Sequence, residues 1–132
     1  MSGYRIVERV PSIEDYKRVR VAAGLSDKDA GAAGIGLVNT VFGVCVESEG
    51  RVVGIGRIVG DGALFFEVVD IAVLPEHQGR GLRAKIMDAL MGYLRENATP
   101  GAFVSLTSAR SVSGFYERYG FEVRPPESPA CP

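Results

Sequence analysis

The sequence predicts a mixed α/β domain in which a central β-sheet is flanked by helices. Segments of strand and helix character follow one another in the order β, α, (α), β, β, β, α, β, α, β. A nearly continuous apolar strand leads directly into the longest amphipathic helix. The 132 residues, of which 46% are hydrophobic and 23% charged, suit a single domain over residues 1–132.

The first two elements are predicted by side-chain periodicity. Alternation predicts a strand over Tyr4–Val10, and only Val7 and Glu8 spoil it. Ser12 is a suitable N-cap, and apolar residues at helical spacing follow it. We therefore expect a helix over Ile13–Ala23.

The next stretch is ambiguous, because Gly24–Asn39 is rich in Gly and Ala. Asp27 or Asp29 would cap a short helix running toward Leu37. The β-branched and apolar run Thr40–Glu47 then predicts a strand that opens a hairpin.

The hairpin continues after a turn at residues 48–50, with a second strand over Arg51–Val59. A strand over Ala63–Leu74, ended by Pro75, is apolar enough to be buried on both faces and so belongs in the middle of the sheet. Apolar residues at spacings of three and four then predict a helix over Gly81–Asn97.

Three short elements complete the prediction. They are a strand over Ala102–Thr107, a helix over Val112–Tyr119 and a strand over Phe121–Arg124. Four prolines make the tail irregular from about residue 125.

Composition excludes several classes of protein. With 15 basic and 16 acidic residues the net charge is −1, and no basic block offers a footprint for nucleic acid or a membrane surface. No apolar run approaches the ~20 residues of a membrane span, and the N-terminus lacks the apolar core of a secretory signal. We expect a soluble, cytoplasmic protein.

Cysteine and histidine are too few to indicate a metal site or a disulfide framework. Cys45 lies in an apolar stretch and is expected in the core, whereas Cys131 belongs to the tail. The single histidine, His77, is expected to be a solvated turn residue. No metal is predicted.

A phosphate-binding arrangement follows the buried strand. Gln78–Arg83 joins the strand to a helix, and Gly79 and Gly81 let an anion approach the free N–H groups of the first helical turn. The segment is neither a P-loop nor a dinucleotide fingerprint. Taken alone, the pattern fits an ordinary glycine turn equally well.

Two landmarks carry a family resemblance. Val73–Leu82 resembles the acetyl-CoA signature of the GNAT family of N-acetyltransferases, and Phe115–Phe121 is similar to that family's second landmark, a Tyr on the last helix followed by Gly-Phe. The element order over Tyr4–Arg124 is also similar. The resemblance implies a GNAT-like fold, an acyltransferase and acetyl-CoA as cofactor.

The resemblance also implies roles for individual residues. The exposed backbone of Ile71, Ala72 and Val73 would pair with the pantetheine arm and polarise the acetyl carbonyl. Tyr116 would protonate the departing thiolate, although a tyrosine here is also suited to core packing. The residues whose backbone amides would hold the pyrophosphate are Gln78, Gly79, Arg80, Gly81, Leu82 and Arg83.

An amine acceptor must lose a proton, and Glu67 and Asp70 on the buried strand are the candidate bases. The histone-acetylating branch of the family implies Glu67. Because they are three residues apart on a strand, the two carboxylates are expected on opposite faces of the sheet. Each is as well suited to a structural role, in a salt bridge or a backbone hydrogen bond, as to the role of base. Arg51 and Arg57 are suited to meet an acidic acceptor, but we expect them on a solvated strand face.

Three departures from the family pattern bear on the site. Arg83 stands where the family prefers Gly or Ala, so that it either crowds the pyrophosphate or adds a phosphate contact. Ala109 replaces an Asn that many members use to hold the pantetheine arm. The chain also ends soon after Arg124, which shortens the final hairpin.

The function predicted on these grounds is acetyl-CoA-dependent transfer of an acetyl group to a primary amine, by direct attack in a ternary complex. A small-molecule amine is favoured, because the domain is small and has no charged patch. The alternatives are a protein (lysine or N-terminal) acetyltransferase and a non-catalytic acyl-CoA-binding module of the same fold. The oligomeric state is open, and a homodimer is among the states the sequence allows.

Overall fold

In the computed structural model, which describes residues 3–107 and 113–122, five strands form one mixed sheet. A short 3₁₀ turn over Pro75–His77 joins the fourth strand to the third helix. No helix in these two stretches is long and apolar enough to cross a membrane. The elements are, in chain order, β1 (Tyr4–Val7), α1 (Ile13–Ala22), α2 (Ala30–Val38), β2 (Phe42–Ser48), β3 (Arg51–Gly60), β4 (Phe65–Val73), α3 (Leu82–Asn97), β5 (Phe103–Leu106) and α4 (Ser113–Glu117).

The strands lie side by side in the order in which they occur along the chain. β1 to β4 are antiparallel to their neighbours, whereas β5 runs parallel to β4 because α3 crosses over between them. A Cβ atom at Gly56 would meet Ile86 of α3, and the next residue, Arg57, contacts Tyr16 of α1. Helices therefore cover both faces of the sheet, as the sequence predicts.

The core lies between the middle strands and the helices. Phe66, Ile55 and Ile58 are among the largest side chains that are completely buried. Cys45 is buried as expected, and its Sγ donates a hydrogen bond to the carbonyl oxygen of Arg9 over 3.4 Å. Burial raises the pKa of the Cys45 thiol to about 11, so the thiol stays protonated and unreactive at neutral pH.

Two helices carry side-chain caps and the longest does not. Ser12 accepts a hydrogen bond from the amide of Asp15, over 3.1 Å, at the start of α1. Asp29 likewise accepts from the amide of Ala32 over 2.9 Å and begins α2, which resolves the ambiguous glycine-rich stretch. α3 begins at Leu82, and its N-cap residue, Gly81, provides no side-chain cap, so the first N–H groups of the helix remain available.

Several element boundaries differ from the predictions. β1 ends at Val7, where the alternation breaks, because the amide of Arg9 turns back to bond the Val7 carbonyl oxygen. The predicted last strand over Phe121–Arg124 is wrong for Phe121 and Glu122, which are not in a strand, and its other two residues lie outside the described part of the chain. The helix predicted over Val112–Tyr119 is helical only to Glu117, and a turn follows it.

Candidate functional site

β4 continues beyond the last residue that pairs with β5, and we call the β5 side of this part of β4 the cleft. The two strands pair only from Phe65 with Phe103 to Val68 with Leu106. Beyond that point, among the described residues, the β5 side of residues 69–73 carries no strand partner. The backbone of Ile71, Ala72 and Val73, predicted to hold a ligand, lies along this unpaired edge.

The glycine-rich segment closes one end of the cleft. Gly79 and Gly81 both have φ of +79°, a left-handed conformation that glycine adopts without strain. The side-chain amide of Gln78 donates to the carbonyl oxygen of Val73 over 2.9 Å and so ties the loop to the end of β4. At Gly79 and Gly81 an added Cβ would meet no atom within 4 Å, so the backbone faces open space.

A cavity of about 360 Å³ lies between this loop and α4. It brings together most of the residues predicted to bind the cofactor, but Ile71, Ala72 and Arg80 are not in its wall. The lining residues are Val73, His77, Gln78, Gly79, Gly81, Leu82, Arg83, Ala84, Phe115 and Arg118. The cavity is therefore continuous with both the uncapped start of α3 and the end of β4.

Two guanidinium groups flank Phe115 in the cavity wall. Arg83 lies 5.9 Å and Arg118 5.0 Å from the Phe115 ring centre. The Nε atom of Arg83 is buried and hydrogen-bonds to no described residue. Sequence reasoning missed Arg118, because only the packing of α4 near the start of α3 brings it to the cavity.

Tyr116 packs against Phe115, a residue of the cavity wall. Its side chain is 7% exposed and its ring meets Phe115 edge-on at 5.0 Å. Burial raises the pKa of the Tyr116 phenol, and the nearby charge of Arg83 opposes that rise. The phenol therefore keeps its proton throughout the neutral range, as a proton donor must.

Asp70 is fully engaged in ion pairs and hydrogen bonds. Its Oδ2 accepts from Tyr16 at 3.0 Å and from Arg57 at 2.6 Å, and its Oδ1 accepts from Arg20. Both oxygens are therefore occupied, which is the salt-bridge alternative of the sequence analysis. Glu67, by contrast, has no side-chain partner among the described residues.

The expectation that Glu67 and Asp70 lie on opposite faces is wrong. A β-bulge places two residues of β4, Asp70 and Ile71, opposite one residue of β3. The extra residue reverses the alternation, so both carboxylates lie on the face that α1 covers. Neither the hydrophobic pattern nor the spacing of the strand indicates a bulge.

Two further expectations need correction. Arg57 is 7% exposed rather than solvated, although Arg51 is exposed. His77 is half-buried, and its Nδ1 shares a 2.7 Å hydrogen bond with the hydroxyl of Tyr4, which also accepts from Arg80 at 2.8 Å. The N-terminal strand thus supports the glycine-rich loop. Ala109 lies outside the described residues, within which no group of His, Cys, Asp or Glu could hold a metal ion.

Comparison with known proteins agrees with this geometry. The acetyltransferase (GNAT) domain family matches residues 39–123. The chloroplastic GCN5-related N-acetyltransferase 2 of Arabidopsis thaliana is 30% identical over 79 residues, which span 60% of this chain and 30% of that relative.

Two solved structures show the similarity of the fold. A probable acetyltransferase of unknown function from meticillin-resistant Staphylococcus aureus is 34% identical, with a TM-score of 0.90 over 97% of this chain and 96% of that one. A GNAT family acetyltransferase from Brucella melitensis in complex with acetyl-CoA is 21% identical, with a TM-score of 0.67 over 93% and 85%. With the family match covering more than half of the sequence, this chain belongs to the GNAT acetyltransferase family, and both the family and the fold class predicted from the sequence are confirmed.

Proposed function

We propose that this protein is an acetyl-CoA-dependent N-acetyltransferase that acetylates the primary amine of a small molecule. The observation that carries the proposal is the continuity of the cleft. An uncapped helix start, two left-handed glycines and an unpaired strand edge follow one another along one surface. The Brucella melitensis neighbour, solved with acetyl-CoA, indicates that the fold accommodates this ligand.

The residues of the loop fit the pyrophosphate of the cofactor. The first N–H groups of α3 have no side-chain cap, and the positive end of the 16-residue helix favours an anion there. Residues 78–83 would supply backbone donors from the open side of Gly79 and Gly81. Arg83 and Arg118 would add positive charge, with the free Nε of Arg83 as a further donor.

The strand edge fits the acyl arm. Among the described residues, the backbone N–H and C=O groups at residues 71–73 have no strand partner on the β5 side, so they would pair with the amides of the pantetheine. An N–H group on this edge would also stabilise the negative charge that develops on the acetyl oxygen. The two proposed contacts would therefore bind opposite ends of one extended ligand. The pyrophosphate would lie at Gly79 and Gly81, and the acyl group at residues 71–73.

The chemistry requires one base and one acid. In our proposal Glu67, directly or through a water, takes a proton from the amine as its nitrogen forms a bond to the acetyl carbon. The bond from that carbon to sulfur then breaks, and Tyr116 donates its proton to the departing sulfur. Glu67 is preferred to Asp70 because the oxygens of Asp70 are already occupied.

The test of this function is acetyl transfer itself. Purified protein is incubated with acetyl-CoA and a panel of amine metabolites, amine antibiotics and peptides, and thiol release is followed. We expect turnover with at least one small amine and little with peptides. Turnover with peptides alone would replace the small-molecule acceptor by a protein, and saturable binding with no turnover would favour the acyl-CoA-binding module.

Gly81→Asp is expected to weaken acetyl-CoA binding by roughly 10²- to 10³-fold. Two unit charges 4 Å apart near a protein surface repel by about 4 kcal/mol, and the new carboxylate would face the pyrophosphate. Gly81→Asn is the matched control, because Asn has the same shape and tolerates left-handed backbone equally well. Isothermal titration calorimetry measures both. Equal affinities for the two variants would contradict a phosphate site at this loop.

Glu67→Gln is expected to lower kcat by roughly 10²-fold without changing the affinity for acetyl-CoA. The amide keeps the shape of the side chain but cannot accept the proton of the amine. Glu49→Gln, at the exposed turn between β2 and β3, serves as the control. A kcat that is unchanged in Glu67→Gln would assign the proton to another acceptor or to water.

A further inference from the structure

The bulge in β4 is built on an unusual backbone conformation. Ile55 pairs with Ala72 and Arg57 with Val69, so one residue of β3 faces two of β4. The first of those two, Asp70, has φ of +60°, in the left-handed region that few residues other than glycine adopt. A conformation of this kind persists only where its surroundings hold it.

The surroundings that hold it meet at one carboxylate. Asp70 is contacted by Tyr16 and Arg20 from α1 and by Arg57 from β3. The side chains of the three charged residues are each 8% exposed. Both guanidinium groups also lie over the ring of Tyr16, with the Cζ atom of Arg20 5.7 Å and that of Arg57 5.6 Å from the ring centre.

The two arginines are themselves anchored. Arg57 donates to the hydroxyl of Thr40 at 2.9 Å and to the carbonyl oxygen of Gly36, at the end of α2, at 3.2 Å. Arg20 donates to the carbonyl oxygen and hydroxyl of Ser26, at 3.0 and 3.1 Å. Asp70 is therefore the point at which α1, α2 and β3 are all connected to β4.

Stability alone gives a weak reason for this cluster. Two guanidinium groups face one carboxylate, and buried ion pairs of this kind are often no more stabilising than apolar side chains of the same size. The cluster does fix orientation, because charged hydrogen bonds set the angle between the groups that they join. Here the hydrogen bonds fix the orientation of the β4 backbone at Asp70, just beyond the last residue of β4 that pairs with β5.

The opposite face of the bulge is equally constrained. A Cβ atom at Gly56 would lie 2.5 Å from Cγ2 of Ile86 and 3.7 Å from Cγ1 of Ile71. The bulge therefore packs closely against α3, the helix whose first turn faces the cavity. A change in the backbone at Asp70 would be transmitted directly to Ile71, the first residue of the proposed acyl-binding edge.

We infer that Asp70 is a positioning residue: its hydrogen bonds with Arg20, Arg57 and Tyr16 hold the β-bulge in the orientation that presents the backbone of residues 71–73 to the thioester. The acyl part of this inference rests on the proposed function. Asp70 itself does not touch the substrate. It acts through the backbone that follows it.

The test uses two variants so that loss of folding does not decide it. Asp70→Asn removes the charge but keeps the shape and the tolerance of left-handed backbone. The double variant Arg20→Met/Asp70→Asn also removes one guanidinium, so the cluster keeps its original net charge. Urea unfolding identifies which variants are folded, and Glu14→Gln, on the exposed surface of α1, is the control.

We expect the folded variants to retain most of their affinity for acetyl-CoA, because the helix start that holds the phosphates is unchanged and only the pairing at residues 71–73 is displaced. Their kcat should fall by about 10²-fold, a loss that a displacement of about 1 Å at a reacting centre can cause. The backbone chemical shifts of residues 69–73, measured without ligand, should move, and those of residues 78–84 should not. Unchanged kcat, or unchanged shifts at 69–73, would overturn the inference.

The same measurements separate this inference from the proposed function. If the wild type binds no acetyl-CoA, the proposed function fails, and the acyl part of the inference fails with it. The ligand-free chemical shifts still decide whether Asp70 holds the bulge. If the wild type turns over and the variants equal it, only the positioning role of Asp70 is lost.

Discussion

Tyr116→Phe is expected to lower kcat by about 10²- to 10⁴-fold while the fold and the affinity for acetyl-CoA are retained. The substitution removes one oxygen from a ring that is 7% exposed and packed against Phe115, so the packing is unchanged. Only the proton given to the departing sulfur is lost. Steady-state kinetics and calorimetry measure the two quantities separately.

The pH dependence provides a second measurement on the same residue. Because burial raises the pKa of Tyr116 above its usual value of 10, the wild type should keep its proton donor to beyond pH 10 and lose kcat only above that pH. Tyr116→Phe should lack this alkaline decline. Tyr93→Phe is the control, since that ring stacks on Phe42 at 4.6 Å, away from the cavity wall. Full activity in Tyr116→Phe would make Tyr116 a packing residue only.

Gly60→Ala is expected to destabilise the protein by about 3 kcal/mol or more. Gly60 ends β3 with φ of +145°, and a Cβ atom there would lie 2.0 Å from the carbonyl oxygen of Phe65. That oxygen belongs to the backbone of β4, so it cannot move aside without breaking the pairing of β3 with β4.

Gly62→Ala, two residues away, is the matched control for Gly60→Ala. Gly62 also has a positive φ, of +83°, but a Cβ atom there meets nothing within 4 Å. The cost should be only the ~1–2 kcal/mol of a left-handed conformation. Urea denaturation curves of the two variants measure the difference. Equal midpoints would show that the contact with Phe65 is relieved by movement of the turn.

Much of the fold followed from local patterns. The apolar run of β4 and the three- and four-residue spacing of α3 each lie on one element, so the sequence contains the whole signal. The glycine-rich loop was predicted for the same reason, because its glycines, the preceding strand and the following helix are consecutive. Its conformation, with positive φ at Gly79 and Gly81, is what that pattern requires.

The failures concern contacts between distant segments. Arg57 looks like a solvated strand residue until the bulge brings Asp70 to the same face, and a single inserted residue leaves no mark in the hydrophobic pattern. Tyr4 and His77 are 73 residues apart, so their hydrogen bond depends on where β1 joins the sheet. Arg118 reaches the cavity only because α4 lies close to the start of α3.

The direction of β5 has a consequence for how the molecule assembles. β2, β3 and β4 form consecutive hairpins whose contacts are short in sequence, whereas the parallel β5 can pair with β4 only after α3 has crossed the sheet. We therefore expect the three-stranded meander to form early in folding and β5 to dock late. The cleft between β4 and β5, and with it the place where acetyl-CoA is proposed to bind, would be completed near the end of folding. Nascent or partly unfolded chains would then hold an intact meander without any capacity to recognise the ligand.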